Sequence, residues 1–266
     1  MPIEHDFPVN VLSQDEFHAI DRVVMRQAFD VQNELGRFYK ESVYRNELEF
    51  RLRSLGMPVL AEAPVRVVFR DFVKYYFLDS LVGNGAVYEF KMAEALVGGH
   101  EKQLLNYLFL LGVHHGKLIN LFPKSVEHRF VSTRLTHERR RNMIFDDSSW
   151  NELCVRGLGV RQLLEDLLFD WGAFLERSLY AEALTHFFCP EDLQGRPVNI
   201  CVGGRVVGRQ DVCLLEDDVS LHVSAITKNH LSYQRHLERI FEHTCLTRIQ
   251  WINFNRDKVE MVSLKK

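Results

Sequence analysis

Apolar residues recur at helical spacing over residues 15–35, where Phe17, Ile20, Val24, Ala28, Val31 and Leu35 share one face. A second helix is expected over 40–56, "KESVYRNELEFRLRSLG", closed by Gly56. The period then changes. "PVRVVFRD" alternates and is rich in β-branched residues, while "VKYYFLDSLV" and "AVYEFKMA" flank the turn "GNG" as a hairpin. After Gly98 and Gly99 the helical period returns over about 101–111, and "GKLINLF" and "HRFVST" follow as strands. The first half therefore reads ααβββαββ.

Residues 134–150, "RLTHERRRNMIFDDSSW", are dense in charge and read as a linker, with domains 1–146 and 147–266 on either side. Within it Arg139, Arg140 and Arg141 read as a solvated connector rather than a phosphate contact. Beyond the linker the pattern repeats. "GRFYKESVYRNELE" (36–49) aligns without gaps on "GAFLERSLYAEALT" (172–185), with identities at Gly36/Gly172, Phe38/Phe174, Ser42/Ser178, Tyr44/Tyr180 and Leu48/Leu184. Strands "RPVNICVG", "RVVGRQDVCLLE" and "DVSLHVSAI" follow, then a helix over about 230–243 and strands "TRIQWINF" and "KVEMVSL". The offset is 136 at the helix, 132 from Asp79 to Asp211 and 133 from Ile119 to Ile252. Such a sustained register is what tandem duplication leaves. The expected fold class is α/β (α+β), two halves of αβββαββ order, each a mixed β-sheet flanked by helices.

Composition acts mainly by exclusion. At 266 residues, 46% hydrophobic and 26% charged, the chain fits one large globular domain or two of ordinary size. A net charge of −3 gives no global nucleic-acid signature, so any such site must be a local patch. The apolar runs are too short to span a membrane and "MPIEHDFPVN" lacks the pattern of a secretory leader, so the expectation is a cytoplasmic protein with no membrane partner. The five cysteines, Cys154, Cys189, Cys201, Cys213 and Cys245, have no zinc-type spacing and are expected as reduced, mostly buried thiols.

The chemistry concentrates between residues 79 and 107. Along the strand from 86 to 92, Val87, Glu89 and Lys91 share one face, and Tyr88, Phe90 and Met92 the other. Across the "GNG" turn an antiparallel hairpin brings Asp79 near Glu89. Two converging carboxylates repel unless a cation joins them. Their oxygens suit Mg2+ or Mn2+, with water and a substrate phosphate completing the shell. Lys91 beside such a cation can orient water or balance charge in phosphodiester hydrolysis. Gln103 and Tyr107, four residues apart, lie on one helical face that can hydrogen-bond a nucleic-acid backbone. An ExK triplet alone is common on surface strands; the βββα order with the right strand faces gives it weight.

At these residues the chain resembles the PD-(D/E)XK nuclease superfamily, and more closely its GxxExxY group, over roughly residues 15–134. The resemblance rests on "LGRFYKESVYRNEL", on Asp79 with "EFK" at 89–91, and on "EKQLLNYLFLLGVHHGKLINL" at 101–121. It implies a restriction-endonuclease-like sheet flanked by helices, and Mg2+-dependent cleavage or binding of DNA or RNA. It also implies Asp79 and Glu89 as metal ligands, Lys91 as their catalytic neighbour, Gln103 and Tyr107 as a QxxxY element, and Glu41 with Tyr44 as the helix motif. One departure is that the motif's first glycine falls on Phe38, so the start of that helix must be built differently.

In the second half Asp211 is expected opposite Asp79, Leu221 and Val223 opposite Glu89 and Lys91, His236 and Ile240 opposite Gln103 and Tyr107, and Arg177 opposite Glu41. One remaining carboxylate holds a hard dication poorly. The second half is therefore expected to be non-catalytic and kept as the partner in an intramolecular pseudo-dimer. Two functional readings follow: a metal-dependent nuclease with one intact and one degenerate half, or a non-catalytic nucleic-acid or protein interaction module on the same scaffold.

Overall fold

Helix α1 (Gln14–Leu35) starts at a capping box, in which the Ser13 hydroxyl accepts from the Glu16 N–H and the Glu16 carboxylate accepts from the Ser13 N–H. Such a cap contributes about 1 kcal/mol. The computed structural model describes residues 2–189 and 191–266. The chain divides into two units, Met1–His137 and Glu138–Lys266.

In the first unit a short strand β1 (Ile3–Glu4) precedes α1. Helix α2 (Glu41–Ser54) follows, then β2 (Val59–Phe69), β3 (Phe72–Val82), β4 (Ala86–Lys91), α3 (Gly98–Leu111), β5 (His115–Asn120) and β6 (Glu127–Ser132). The six strands form one sheet in sequence order. Only β4 and β5 run parallel, because α3 crosses over between them; the other neighbours are antiparallel. One face is covered by α1 and α2, whose Phe17, Val24, Ala28, Val31, Tyr44 and Leu48 pack on Tyr88, Phe90 and Ile119. The other face receives α3. A Cβ on Gly116 would lie 3.0 and 3.1 Å from the methyls of Leu104 and Leu108, so glycine lets the helix seat there. Val87 pairs with Gly116 and Glu89 with Leu118, which puts both on the α3 side. The β3–β4 turn closes between Val82 and Ala86 through Gly83 (φ 60) and Asn84 (φ 58). At its third residue, Gly85, a Cβ would fall 2.5 Å from the Asn10 carbonyl oxygen, so no side chain fits.

Helix α4 (His137–Arg141) begins at the last residue of the first unit and leads into the second, where β7 (Ile144–Ser149) follows. The second unit continues with α5 (Val160–Trp171), α6 (Arg177–Phe188), β8 (Pro197–Val202), β9 (Arg205–Asp211), β10 (Cys213–Glu216), β11 (Val219–Ser224), α7 (His230–Glu238), α8 (Ile240–His243), β12 (Arg248–Asn255) and β13 (Lys258–Lys265). Five strands form a sheet in the order β10-β11-β12-β13-β7, and β8 with β9 forms a separate hairpin. That hairpin turns on Gly203 and Gly204, both at positive φ, so "VGGRVVG" is a hairpin turn and not a phosphate loop.

Three expectations change here. The expected linker is ordered structure: β7 pairs in parallel with β13, and the Lys258 ammonium lies 2.7 Å from Asp146. Arg140 is buried rather than solvated; its guanidinium donates to the Ala173 carbonyl at 2.9 Å, and burial lowers its pKa to about 10. Cys189 and Cys213 form a disulfide, while Cys154 and Cys201 are half-buried and Cys245 is exposed, which overturns the expectation of reduced, buried thiols.

The strand ladders of the two units share a register. Ser80 pairs with Tyr88 as Cys213 pairs with Leu221. Lys91 pairs with Asn120 as Ser224 pairs with Asn253, and Asn120 with Glu127 as Asn253 with Glu260. Every number in the second set exceeds its partner by 133. Hydrogen bonds follow the same offset. Asn120 accepts from the Ala93 N–H and donates to the Ala93 carbonyl and to Glu127. Asn253 accepts from the Ile226 N–H and donates to the Ile226 carbonyl and to Glu260. In this register Val212, His222 and Ser224 stand at the positions of Asp79, Glu89 and Lys91. Asp211, Leu221 and Val223, the expected counterparts, are one residue out.

Candidate functional site

Asp79 and Glu89 meet where the β3–β4 ladder ends. Regular pairing runs from Val82/Ala86 to Ser80/Tyr88, and one step on the Asp79 carboxylate accepts the Phe90 N–H at 2.8 Å in place of a ladder carbonyl. Glu89 sits beside it, 1% exposed. Lys91, two residues along the same face, places its ammonium 2.6 Å from Glu89 Oε1. Burial first, and the Asp79 charge second, push the Glu89 pKa up to about 8 against the pull of Lys91.

Helix α2 supplies the opposite wall. Glu41 opens it, and its carboxyl is shifted upward by burial and by Asp79, with Lys91 and Arg45 acting the other way. Arg45, one turn later, stands 3.6 Å from Asp79 and 2.7 Å from Glu62. Glu49, a further turn on, is buried with its pKa raised, by burial foremost, and pairs with Arg53. Sequence reasoning missed Arg45 and Glu49. Their signal was the run Glu41, Arg45, Glu49 at four-residue spacing, which puts three charges on one helical face. Glu47, on another face, pairs with Arg51 at 2.6 Å and belongs to an exposed network with Glu34.

Glu41, Asp79, Glu89 and Lys91 are thus within electrostatic reach of one another. Gln103 and Tyr107 are joined to each other on α3, the amide donating to the phenol oxygen at 3.2 Å. Tyr44 is fully buried, and its hydroxyl accepts the Tyr39 N–H at 3.2 Å, which steadies the bend before α2. The departure at Phe38 places that ring 81% exposed in the same bend.

A divalent cation fits this donor set. Glu89 Oε2 is buried with no hydrogen-bond partner, an uncompensated lone pair of the kind that folded proteins rarely leave. Among the described residues no group of three or more carboxylates, imidazoles or thiols forms a complete cage. Two carboxylates with water and substrate phosphate are, however, the usual arrangement for Mg2+.

In the second unit the corresponding ground is a cavity of about 750 Å³ between α6, β10, β11 and the α7–α8 segment. Arg177, His222 and His236 line it, with no carboxylate pair. Among the described residues no helix is long and apolar enough to cross a membrane.

Residues 18–132 match the family model of the PD-(D/E)XK nuclease superfamily. The matched segment is the first unit's α1-to-β6 array, and its mixed sheet flanked by helices is nuclease-like in fold. Members of that superfamily generally use divalent metals such as Mg2+ and act on nucleic acid. No curated protein and no solved structure matches the chain.

Proposed function

We propose that the first unit hydrolyses phosphodiester bonds of DNA or RNA with Mg2+ or Mn2+ held by Asp79 and Glu89. The observation that carries this reading is the unpartnered, buried Glu89 Oε2 in a carboxylate pair flanked by a lysine. A bound cation would lower the pKa of a water and offset charge on the phosphoryl oxygens. The chain's own residues do the rest. Asp79 is fixed by the Phe90 N–H and by Arg45, so its free lone pairs keep one direction. Lys91 is held by Glu89 at the reacting edge, where its ammonium can orient a water and balance charge building on phosphorus. Glu41 adds a third carboxyl with a raised pKa, suited to taking or giving a proton. Gln103 and Tyr107 offer neutral donors for the nucleic-acid backbone.

The GxxExxY relationship is part of the same proposal. So is the reading of the second unit as a degenerate, non-catalytic copy. The offset of 133 in both ladders and in the two asparagine networks supports it. Gly36 and Gly172 add support, since each closes a helix at positive φ. With Val212, His222 and Ser224 at the key positions, that copy lacks the ligands for a hard dication.

The test is cleavage of single- and double-stranded DNA and RNA with Mg2+ or Mn2+. Glu89→Gln and Lys91→Ala should each abolish activity, and activity surviving both would sink the proposed centre. The interaction-module reading is favoured by the exposed Phe38 and Tyr39 and by Tyr75 and Phe77 on β3. It requires nucleic-acid or protein binding that is indifferent to Mn2+ and to Glu89→Gln.

A further inference from the structure

The second unit has not simply lost a cation site; its charge pattern is reversed. On α6, Arg177 stands where α2 has Glu41, and Ala181 and Thr185 stand where it has Arg45 and Glu49. On the strands His222 and Ser224 replace Glu89 and Lys91, and His236 replaces Gln103. Two consequences follow from side-chain size and charge. Exchanging Arg45 and Glu49 for Ala181 and Thr185 vacates volume, and those two residues now line the 750 Å³ cavity. The titratable groups around it become mainly basic: Arg177, His222, His236, Arg239 and His243, against the single carboxylate of Asp211. The remaining wall is largely apolar, with Val198, Leu246 and Ile249 among its residues.

The site is built rather than incidental. One nitrogen of the Arg177 guanidinium donates to the Val223 carbonyl at 2.8 Å, which anchors the group at the strand edge and leaves its other donors over. The His222 ring is fixed by a 2.7 Å hydrogen bond between Nε2 and the Tyr233 hydroxyl, on the flank of the cavity. Burial foremost, with the nearby Arg177 charge, lowers the His222 pKa and favours the neutral ring; an anion beside Arg177 would offset that charge.

We propose that this cavity binds a phosphate monoester carried on a body with an apolar face, directly and without metal. Arg177 and His222 receive the phosphate, and the apolar wall receives the body. A nucleoside monophosphate, whose heteroaromatic base has an apolar face to lie on that wall, is one ligand of that description. The volume lies within the roughly 300–1,000 Å³ typical of small-ligand sites. The same chemistry is offered by a free nucleotide or by the 5′-phosphorylated end of a strand. The inference does not depend on cleavage by the first unit.

Calorimetric titration of the full-length Glu89→Gln protein in EDTA tests it, with AMP, adenosine, inorganic phosphate and a 5′-phosphorylated dinucleotide as probes. AMP should bind at micromolar to low-millimolar concentration, about −8 to −4 kcal/mol. Arg177→Gln, at an exposed position, should weaken it by at least about tenfold. Ala181→Phe should fill the cavity without adding a cation and abolish binding, with an unchanged far-ultraviolet spectrum showing that the fold persists. Equal binding of AMP and the phosphorylated dinucleotide points to a strand end, and binding of AMP alone to a free nucleotide; both support the assignment. Absence of AMP binding at millimolar concentration would overturn it. So would adenosine or inorganic phosphate binding as tightly as AMP, or affinity unchanged in both variants.

Discussion

A single carboxyl group, that of Glu89, sets the clearest physical expectations for the first unit. The unfolded chain releases its proton as pH rises through the ordinary value of 4.5, whereas the folded protein holds it to about 8. The folded state is therefore penalised progressively between those values, and fully above them. In EDTA, Glu89→Gln should be more stable than the native chain at pH 8.5 and show no such gain at pH 4. At about 1.4 kcal/mol per pKa unit, the difference is on the order of a few kcal/mol. Denaturant melts at the two pH values measure it; a gain at pH 4 equal to that at pH 8.5 would contradict the assignment. Arg45 acts one step removed, through Asp79. Arg45→Met should lower cleavage and Mn2+ affinity by about 10- to 100-fold, and Arg45→Lys should restore part of both. Asp79, Glu89 and Lys91 were legible because strand alternation and a glycine turn fix where they point. Arg45 and Glu49 were not, because a charged residue at four-residue spacing reads the same in solvent as against a carboxylate. The one-residue error at Asp211 has a related cause: matching acid to acid followed side-chain chemistry, whereas the ladder hydrogen bonds fix the register at Val212.

Among the elements, the order from α1 to β6 could be read from hydrophobic periodicity, whereas in the second unit α5 and the break of the expected strand over 205–216 into β9 and β10 escaped. The segment around β7 looked like a linker because its own residues are polar; it is a strand because β13 offers it a parallel edge. Helix α5 carries Val160, Leu163, Leu164, Leu167, Leu168 and Trp171 at helical spacing, a helix that the expected αβββαββ order of the second half leaves out. The disulfide, like β7, depends on a partner far along the chain. Cys189 ends α6 and Cys213 begins β10, 24 residues apart, and only the fold brings them together. Closing a loop of that length stabilises the folded state by roughly 3 kcal/mol. Cys189→Ser or dithiothreitol should therefore lower the melting temperature of the second unit while that of the first stays fixed. Scanning calorimetry with assignment by single-unit variants would show it; equal shifts in both units would contradict it.

Taken as a whole, the molecule carries two similar ladders that end differently. In the first unit β3 is continuous over 11 residues and has a neighbour on each side, β2 and β4. In the second, the corresponding run breaks at Val212 into β9 and β10, and β10 is the last strand of its sheet. An outermost strand presents unpaired N–H and C=O groups, a template for any other chain in extended form. Cys213 lies on that margin, tethered to the end of α6. The bridge pins the start of β10 to the end of α6, although it pairs none of the strand's free ladder groups. In a reducing environment that tether is removed and the edge strand is freer to pair with another chain: light scattering of the protein should rise with added reductant, and no rise would contradict it.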